Sequence, residues 1–134
     1  MDQIRIGIVG YGNLGRGVEY ALRQNPDMAL VGVFTRRPPS SLTLQTPGVP
    51  VYPLDALDGM EGAVDVLLLC GGGHVSLETA RLAHAAGFVV DVVDDRAEFA
   101  DPRRFPMARR CLTLPASRIW RRAAASAGTI MWPS

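Results

Sequence analysis

The chain has 134 residues, which is enough for one domain and hardly enough for two. With 48% apolar and 20% charged residues it is not compositionally disordered, and it contains no apolar run of about 18 residues that would predict a membrane-spanning helix. The two cysteines are too few for a disulfide framework, and the N-terminus leaves no room for a cleavable signal, so we expect a cytoplasmic protein. The net charge of +1 is unevenly distributed along the chain. Residues 1–95 contain six arginines and eleven acidic residues, whereas residues 96–134 contain eight arginines and two acidic residues.

Strands and helices alternate along the first part of the chain. Ile4, Ile6 and Ile8 alternate with smaller or polar residues, as in a strand, and the apolar residues within 14–22 repeat at helical spacing. Residues 64–70 are almost continuously apolar, which is typical of a strand buried on both faces of a parallel sheet. The expected elements are strands over 4–9, 28–34, 49–52 (weak), 64–70 and 88–93, helices over 13–24 and 76–86, and one or two helical turns within 55–60. This order predicts an α/β fold, a Rossmann-like doubly wound parallel sheet with helices on both faces, incomplete at the C-terminus.

A glycine-rich turn follows the first strand and opens the first helix. Its residues read G-x-G-x-x-G and are Gly10, Tyr11, Gly12, Asn13, Leu14 and Gly15. In such a motif the first glycine permits a tight turn, the second lets the backbone approach a pyrophosphate, and the third lets helix and strand pack closely. The amides and dipole of the helix N-terminus favour phosphate, so the turn predicts a dinucleotide-binding site; a purely structural turn is the alternative.

The end of the second strand indicates which dinucleotide would bind. A site that prefers NAD usually carries an acidic residue there, which accepts a hydrogen bond from the ribose 2′-hydroxyl. This sequence has Thr35, Arg36 and Arg37 at that point and no acid nearby. Because guanidinium groups bind phosphate through charge-assisted bonds, these residues favour NADP. The alternative is that both arginines are solvated loop residues.

Two further groups lie at strand ends, where open α/β sheets bind ligands. Cys70, Gly71 and Gly72 end the inner strand, and the glycines would let a cofactor pass close to the backbone. We expect Cys70 to be a small buried hydrophobe rather than a nucleophile, because no basic residue is near in sequence. Asp91 and Asp94 close the last clear strand and either bind a substrate ammonium group or form a polar strand exit. The histidines and cysteines lack metal-ligand spacing, so no metal is expected.

Apolar periodicity fails after residue 95. We therefore divide the chain into a dinucleotide-binding domain over 1–97 and an arginine- and proline-rich segment of uncertain structure over 98–134, weakly helical over 119–127. A basic segment beside an acidic domain is found in nucleic-acid-binding arms. This segment lacks periodicity and interleaved aromatic residues, so we expect no nucleic-acid partner.

Four stretches of the sequence resemble the opening of the meso-diaminopimelate dehydrogenase family. They are residues 4–19, which include the glycine-rich turn, and residues 25–28, 33–37 and 69–72. The resemblance implies an NADP-dependent oxidoreductase that reversibly and oxidatively deaminates the D-centre of meso-2,6-diaminopimelate to L-2-amino-6-oxopimelate and ammonia, in lysine biosynthesis. It also implies a small-molecule amino-acid substrate and, were the substrate domain present, a homodimer.

The same resemblance implies roles for the two aspartates. The family follows its last-named strand with Asp-Ser-aromatic-Asp-x-His-Ala, and residues 91–97 here read Asp-Val-Val-Asp-Asp-Arg-Ala. The matching aspartates, Asp91 and Asp94, are thereby expected near the D-amino centre, whereas the serine, the aromatic residue and the histidine differ. Beyond about residue 97 the resemblance ends, and a shifted reading frame or a truncated gene would account for that. Two alternatives stay open: another NADP-dependent oxidoreductase of amino-acid metabolism, of the homoserine dehydrogenase or dihydrodipicolinate reductase type, and a non-catalytic nucleotide-binding module.

Overall fold

A parallel β-sheet forms the centre of the computed structural model, which describes residues 3–113. The strands are β1 (Ile4–Val9), β2 (Met28–Thr35), β3 (Val51–Pro53), β4 (Val66–Cys70), β5 (Val90–Asp94) and β6 (Arg110–Thr113), and the helices are α1 (Asn13–Arg23) and α2 (His74–Ala85). Short 3-10 turns span Pro39–Ser41, Leu54–Leu57 and Glu61–Ala63. The strand order β3-β2-β1-β4-β5-β6 is that of doubly wound dinucleotide-binding sheets, so the predicted fold class is confirmed.

The sheet is buried on both faces, because successive side chains of a strand point to opposite sides. Leu68 of β4 lies in one apolar cluster with Val18 and Leu22 of α1. Its neighbour Leu67 lies in a second cluster with Ala80 of α2. Full burial of such a leucine side chain contributes roughly 1.5–3 kcal/mol. The continuous apolar run in β4 therefore reflects two cores, one on each side of the sheet.

Most element boundaries fall within two residues of those predicted. α2 begins at His74, two residues before the predicted start, because Gly73 provides the extended residue that precedes the helix. The weak strand is present as β3 at the edge of the sheet, where a proline can be accommodated. No helix within residues 3–113 has the length and apolar character needed to cross a membrane.

The sheet continues beyond residue 97, which the sequence did not predict. β6 pairs in parallel with β5, and the Arg109 amide donates to the Val90 carbonyl at 2.7 Å just before that pairing starts. Phe105 is 1% exposed and lies in the α2-side core. A single phenylalanine among arginines and prolines gives no periodic signal, so only the three-dimensional contacts identify it as a core residue. Residues 114–134, including the predicted weak helix over 119–127, lie outside the described residues.

Candidate dinucleotide site

The glycine-rich turn between β1 and α1 requires glycine at two of its three glycine positions. Gly10 has a φ of +90°, and a Cβ there would lie 2.9 Å from the carbonyl oxygen of Cys70. A Cβ on Gly15 would also collide with backbone, at the Gly10 carbonyl oxygen. At Gly12, by contrast, a Cβ would meet no protein atom within 4 Å. The first and third glycines are thus required by the protein itself, whereas the second leaves open space beside the backbone.

The N-terminus of α1 is the second part of the site. Gly12 occupies the N-cap position, and no side chain caps the helix. The first amides of a helix have no carbonyl partner within it, and they carry the positive end of the helix dipole. Asn13, Leu14 and Gly15 form this first turn. The arrangement is suited to a phosphate group.

A cleft of about 360 Å³ opens where β1, β2 and β4 end. Most of the cofactor residues predicted from the sequence line this cleft, namely Gly10, Tyr11, Gly12, Thr35, Arg36, Arg37 and Cys70. Asn13, Leu14, Gly15, Gly71 and Gly72 lie outside its lining. The opposite wall comes from α2 and includes Val75, Ser76 and Thr79, which sequence reasoning did not identify. The position of α2 in the chain could have indicated these residues, because α2 follows β4 at the carboxyl edge of the sheet, where ligands bind.

Tyr11 contributes its backbone to the cleft, while its side chain points into the protein. Tyr11 is 3% exposed, and its hydroxyl donates a hydrogen bond to the carboxylate of Glu19 in α1. Burial, reinforced by the Glu19 carboxylate, raises the pKa of Tyr11 to about 12. The phenol therefore stays protonated and acts as a hydrogen-bond donor at any physiological pH.

The two arginines after β2 have different partners. The Arg37 guanidinium donates to the Tyr11 carbonyl at 2.6 Å, and its amide donates to the Thr35 hydroxyl at 3.1 Å. The Arg36 guanidinium reaches α2, where it lies 3.4 Å from the Thr79 hydroxyl and 3.5 Å from the Val75 carbonyl. Within residues 3–113 neither guanidinium pairs with a carboxylate. Two uncompensated positive charges therefore border the cleft beside the glycine-rich turn.

At the end of β4, Gly72 has a structural role that the sequence did not predict. Cys70 is half-buried, since it packs against the α1-side core and also lines the cleft. Desolvation raises the pKa of its thiol to about 12, which favours an apolar packing role over that of a nucleophile. Gly71 has a φ of +114°. The Gly72 amide donates to Asp94 at 2.7 Å, and a Cβ on Gly72 would run into the backbone of Phe99. Glycine is therefore required at position 72 by the turn after β5 that covers it, and a contact between Gly72 and a cofactor stays a prediction.

The predicted substrate aspartates lie on opposite faces of β5, because they are three residues apart in a strand. The fully buried Asp91 carboxylate pairs with Arg109 at 2.7 Å and Arg110 at 3.2 Å. Asp94, 1% exposed, accepts from the Gly72 amide and from Arg96 at 3.0 Å.

Burial acts to raise the pKa of Asp94, but the hydrogen bonds from Arg96 and Gly72 outweigh it and hold the pKa at about 2. Both aspartates are thus bound to arginines and are not brought together at one point. Their contact with an amino group remains a prediction. The described residues contain no cluster of histidine, cysteine or acidic side chains that could hold a metal ion.

Several known proteins are similar to this chain in sequence or in fold. The model of the XdhC Rossmann domain matches residues 67–131. The meso-diaminopimelate D-dehydrogenase of Acetivibrio thermocellus is 50% identical over 95 residues, which are 70% of this chain and 28% of that protein. Among solved structures, the C. glutamicum diaminopimelate dehydrogenase in complex with diaminopimelate aligns with a TM-score of 0.58 and 37% identity, over 80% of this chain and 32% of that one.

An engineered D-amino acid dehydrogenase bound to NADP+ aligns with a TM-score of 0.57 and 35% identity, over 78% of this chain and 31% of that one. The chain thus spans about a third or less of the length of the relatives that it matches. By sequence and by fold, it is related to the N-terminal, Rossmann-type part of the meso-diaminopimelate dehydrogenases.

Proposed function

We propose that this chain is the NADP-binding part of an oxidoreductase that reversibly and oxidatively deaminates the D-centre of meso-2,6-diaminopimelate. The observation that carries the proposal is the pair of guanidinium groups of Arg36 and Arg37, which follow β2 and lie beside the glycine-rich turn. No acidic residue stands at the end of β2. A carboxylate at that place would repel a 2′-phosphate, whereas guanidinium groups attract one. The 50% identity to a meso-diaminopimelate D-dehydrogenase supports the choice of reaction.

The residues present fit a dinucleotide phosphate. Gly12 leaves open space where a Cβ would stand, and α1 begins there without a side-chain cap. In the proposed complex, the Gly12 backbone and the amides of Asn13 and Leu14 hold the pyrophosphate, while Arg36 and Arg37 hold the 2′-phosphate. NADP, when bound, supplies the hydride acceptor for oxidation of the amine-bearing carbon. The protein supplies binding, orientation and charge.

Fewer features of the described residues point to the substrate than to the cofactor. We propose a small amino acid as substrate and, for the whole enzyme, a homodimer, as the resemblance to the dehydrogenases implies. We also propose a cytoplasmic location, because two cysteines are too few for a disulfide framework. The cleft described above carries cofactor-binding features, and both predicted substrate aspartates, Asp91 and Asp94, are held by arginines. We therefore expect this chain to bind NADP+ without turning over meso-diaminopimelate by itself.

Calorimetric titration of the chain with NADP+ and NAD+ tests the proposal. We expect tighter binding of NADP+, and a loss of roughly ten- to a hundredfold in NADP+ affinity in Arg36→Ala or Arg37→Ala, because a hydrogen bond to a charged group contributes ~1.5–3 kcal/mol. Arg81→Ala is the matched control, since Arg81 is exposed on α2 and pairs only with Glu78 in the described residues. Equal affinity for the two nucleotides, or none for either, would refute the proposal.

A further inference from the structure

A carboxylate is buried beneath the glycine-rich turn. Glu19 of α1 has 0% exposure and sits on the face of the helix that contributes Val18 and Leu22 to the core. Burial of an ionised group is strongly unfavourable unless hydrogen bonds replace its water. No arginine of residues 3–113 forms an ion pair with Glu19. Such a group in an otherwise apolar helix face calls for a reason other than core packing.

The partners of Glu19 are two hydrogen-bond donors from separate parts of the chain. One carboxylate oxygen accepts from the Tyr11 hydroxyl, and the other accepts from the Thr46 amide at 2.8 Å. Burial acts to raise the pKa of Glu19, but the hydrogen bonds from Tyr11 and Thr46 outweigh it and lower the pKa. The side chain is therefore an ionised acceptor at neutral pH. It ties the turn after β1 to the loop between β2 and β3.

The same loop is anchored to α1 by further contacts. The Arg23 guanidinium donates to the Gln45 carbonyl at 3.1 Å, one residue before Thr46. Leu42 and Leu44 pack against the α1-side core. This loop begins with Arg36 and Arg37 and ends at β3. Its path is consequently fixed by α1, and Glu19 provides the buried polar contact.

Tyr11 is held at both ends. Its hydroxyl is bound to Glu19, and its carbonyl accepts from the Arg37 guanidinium at 2.6 Å. Tyr11 stands between Gly10 and Gly12, so its position sets the path of the turn that faces the cleft. A displacement of the ring would move the Gly12 backbone and the acceptor that orients Arg37. The first change would affect any dinucleotide, and the second would affect only one that carries a 2′-phosphate.

We propose that Glu19, acting through the Tyr11 hydroxyl, is a positioning residue for NADP that aligns the pyrophosphate-binding turn with the arginine that contacts the 2′-phosphate. The inference rests on the proposed NADP binding. It assigns Glu19 no contact with the cofactor. Its effect is to hold the glycine-rich turn and the loop after β2 in a fixed relative position.

Two substitutions separate positioning from simple stability. Glu19→Gln keeps the shape of the side chain but removes its charge, and Tyr11→Phe removes only the hydroxyl. The matched controls are Glu78→Gln, an exposed glutamate of α2, and Tyr20→Phe, whose ring is 44% exposed on α1. Each variant of the full chain is titrated with NADP+ and with NAD+ at a temperature below its melting transition, so that folded protein is compared with folded protein.

We expect Glu19→Gln and Tyr11→Phe each to weaken NADP+ binding by about fivefold or more, because each substitution disrupts the hydrogen bond between the Tyr11 hydroxyl and a charged group. NAD+ binding should weaken less, so the ratio of the two affinities falls. The double variant should bind NADP+ no more weakly than Glu19→Gln alone, because Tyr11→Phe affects only the shared hydrogen bond, whereas Glu19→Gln also disturbs the contact with the Thr46 amide. The controls should match the unaltered chain.

Unchanged NADP+ affinity in Tyr11→Phe would overturn the proposal, even if Glu19→Gln failed to fold. Equal losses for NADP+ and NAD+ would likewise overturn the link to Arg37. Failure of the proposed function has a different signature, since the unaltered chain would then bind neither nucleotide.

Discussion

The substitution Gly72→Ala tests whether the turn after β5 closes over the end of β4. An ideal Cβ on Gly72 would lie 2.7 Å from the carbonyl carbon of Phe99 and nearer still to its oxygen, whereas ordinary van der Waals contact begins at 3.4 Å. The atoms in conflict are backbone, so no side-chain rotation can relieve the clash. The turn would have to withdraw from the sheet edge.

The cost of that withdrawal can be estimated from the hydrogen bonds that it weakens. Forcing an extra methyl group into a packed site typically destabilises a protein by ~1–3 kcal/mol. The Gly72 amide donates to Asp94 and its carbonyl accepts from Arg104 at 2.6 Å, so weakening these bonds adds about 1 kcal/mol. We expect Gly72→Ala to lower the free energy of unfolding by about 2–4 kcal/mol.

Urea denaturation provides the assay, and the neighbouring glycine provides the control. A Cβ on Gly73 would meet nothing within 4 Å, and its φ of −69° suits any residue. Gly73→Ala should therefore change the free energy of unfolding by less than ~1 kcal/mol, because the lower entropy of the unfolded chain is offset by the poorer fit of alanine at the N-cap of α2. If the two variants had the same unfolding midpoint and slope, the packing of residues 96–105 against β4 would be refuted.

Three further outcomes follow from the same geometry. Gly15→Ala should destabilise the fold because its Cβ would meet the Gly10 carbonyl. Gly12→Ala should cost no more than ~1 kcal/mol, the loss expected when alanine replaces glycine at a helix N-cap, yet it should bind NADP+ more weakly. Equal stability of the two variants would contradict this. The folded-state pKa of Asp94, about 2, lies below its ordinary value of 3.8, so its stabilising contribution, present above about pH 4, should be lost as the pH falls towards 2. Asp94→Asn should remove about 2 kcal/mol of that acid-dependent stability, and an unchanged pH profile would exclude the effect. Because desolvation raises the pKa of the Cys70 thiol to about 12, iodoacetamide at pH 8 should alkylate it far more slowly than a free thiol, as mass spectrometry would show. Rapid labelling would argue against the raised pKa.

The features predicted correctly are those that depend on neighbours in sequence. Apolar alternation located β1, and helical spacing located α1. The order of strands and helices then left few possible topologies, because parallel strands joined by helices form right-handed crossovers. The spacing of Gly10, Gly12 and Gly15 was informative for the same reason, since a turn between a strand and a helix is a local structure.

The features that sequence reasoning did not predict depend on residues far apart in the chain. The contact of Gly72 with the backbone of Phe99 was not predicted, and the predicted contact of Gly72 with a cofactor stays a prediction. The pairing of Asp91 with two arginines was not predicted either, because both come from the segment for which no packed role was expected. The burial of Glu19 was not predicted either, because one glutamate in an amphipathic helix gives no signal of burial.

The sequence by itself thus determined the strand and helix order as far as β5, the glycine-rich turn and the position of the arginines after β2, because each depends on residues that are close together in the chain. Tertiary structure alone decided which charges are buried and what they bind. Parallel pairing of β5 with β6 brings Asp91 beside Arg110, and the packing of the loop after β2 on α1 brings Thr46 to Glu19. A buried charge is stable only with such partners, and only folding brings them within hydrogen-bond distance.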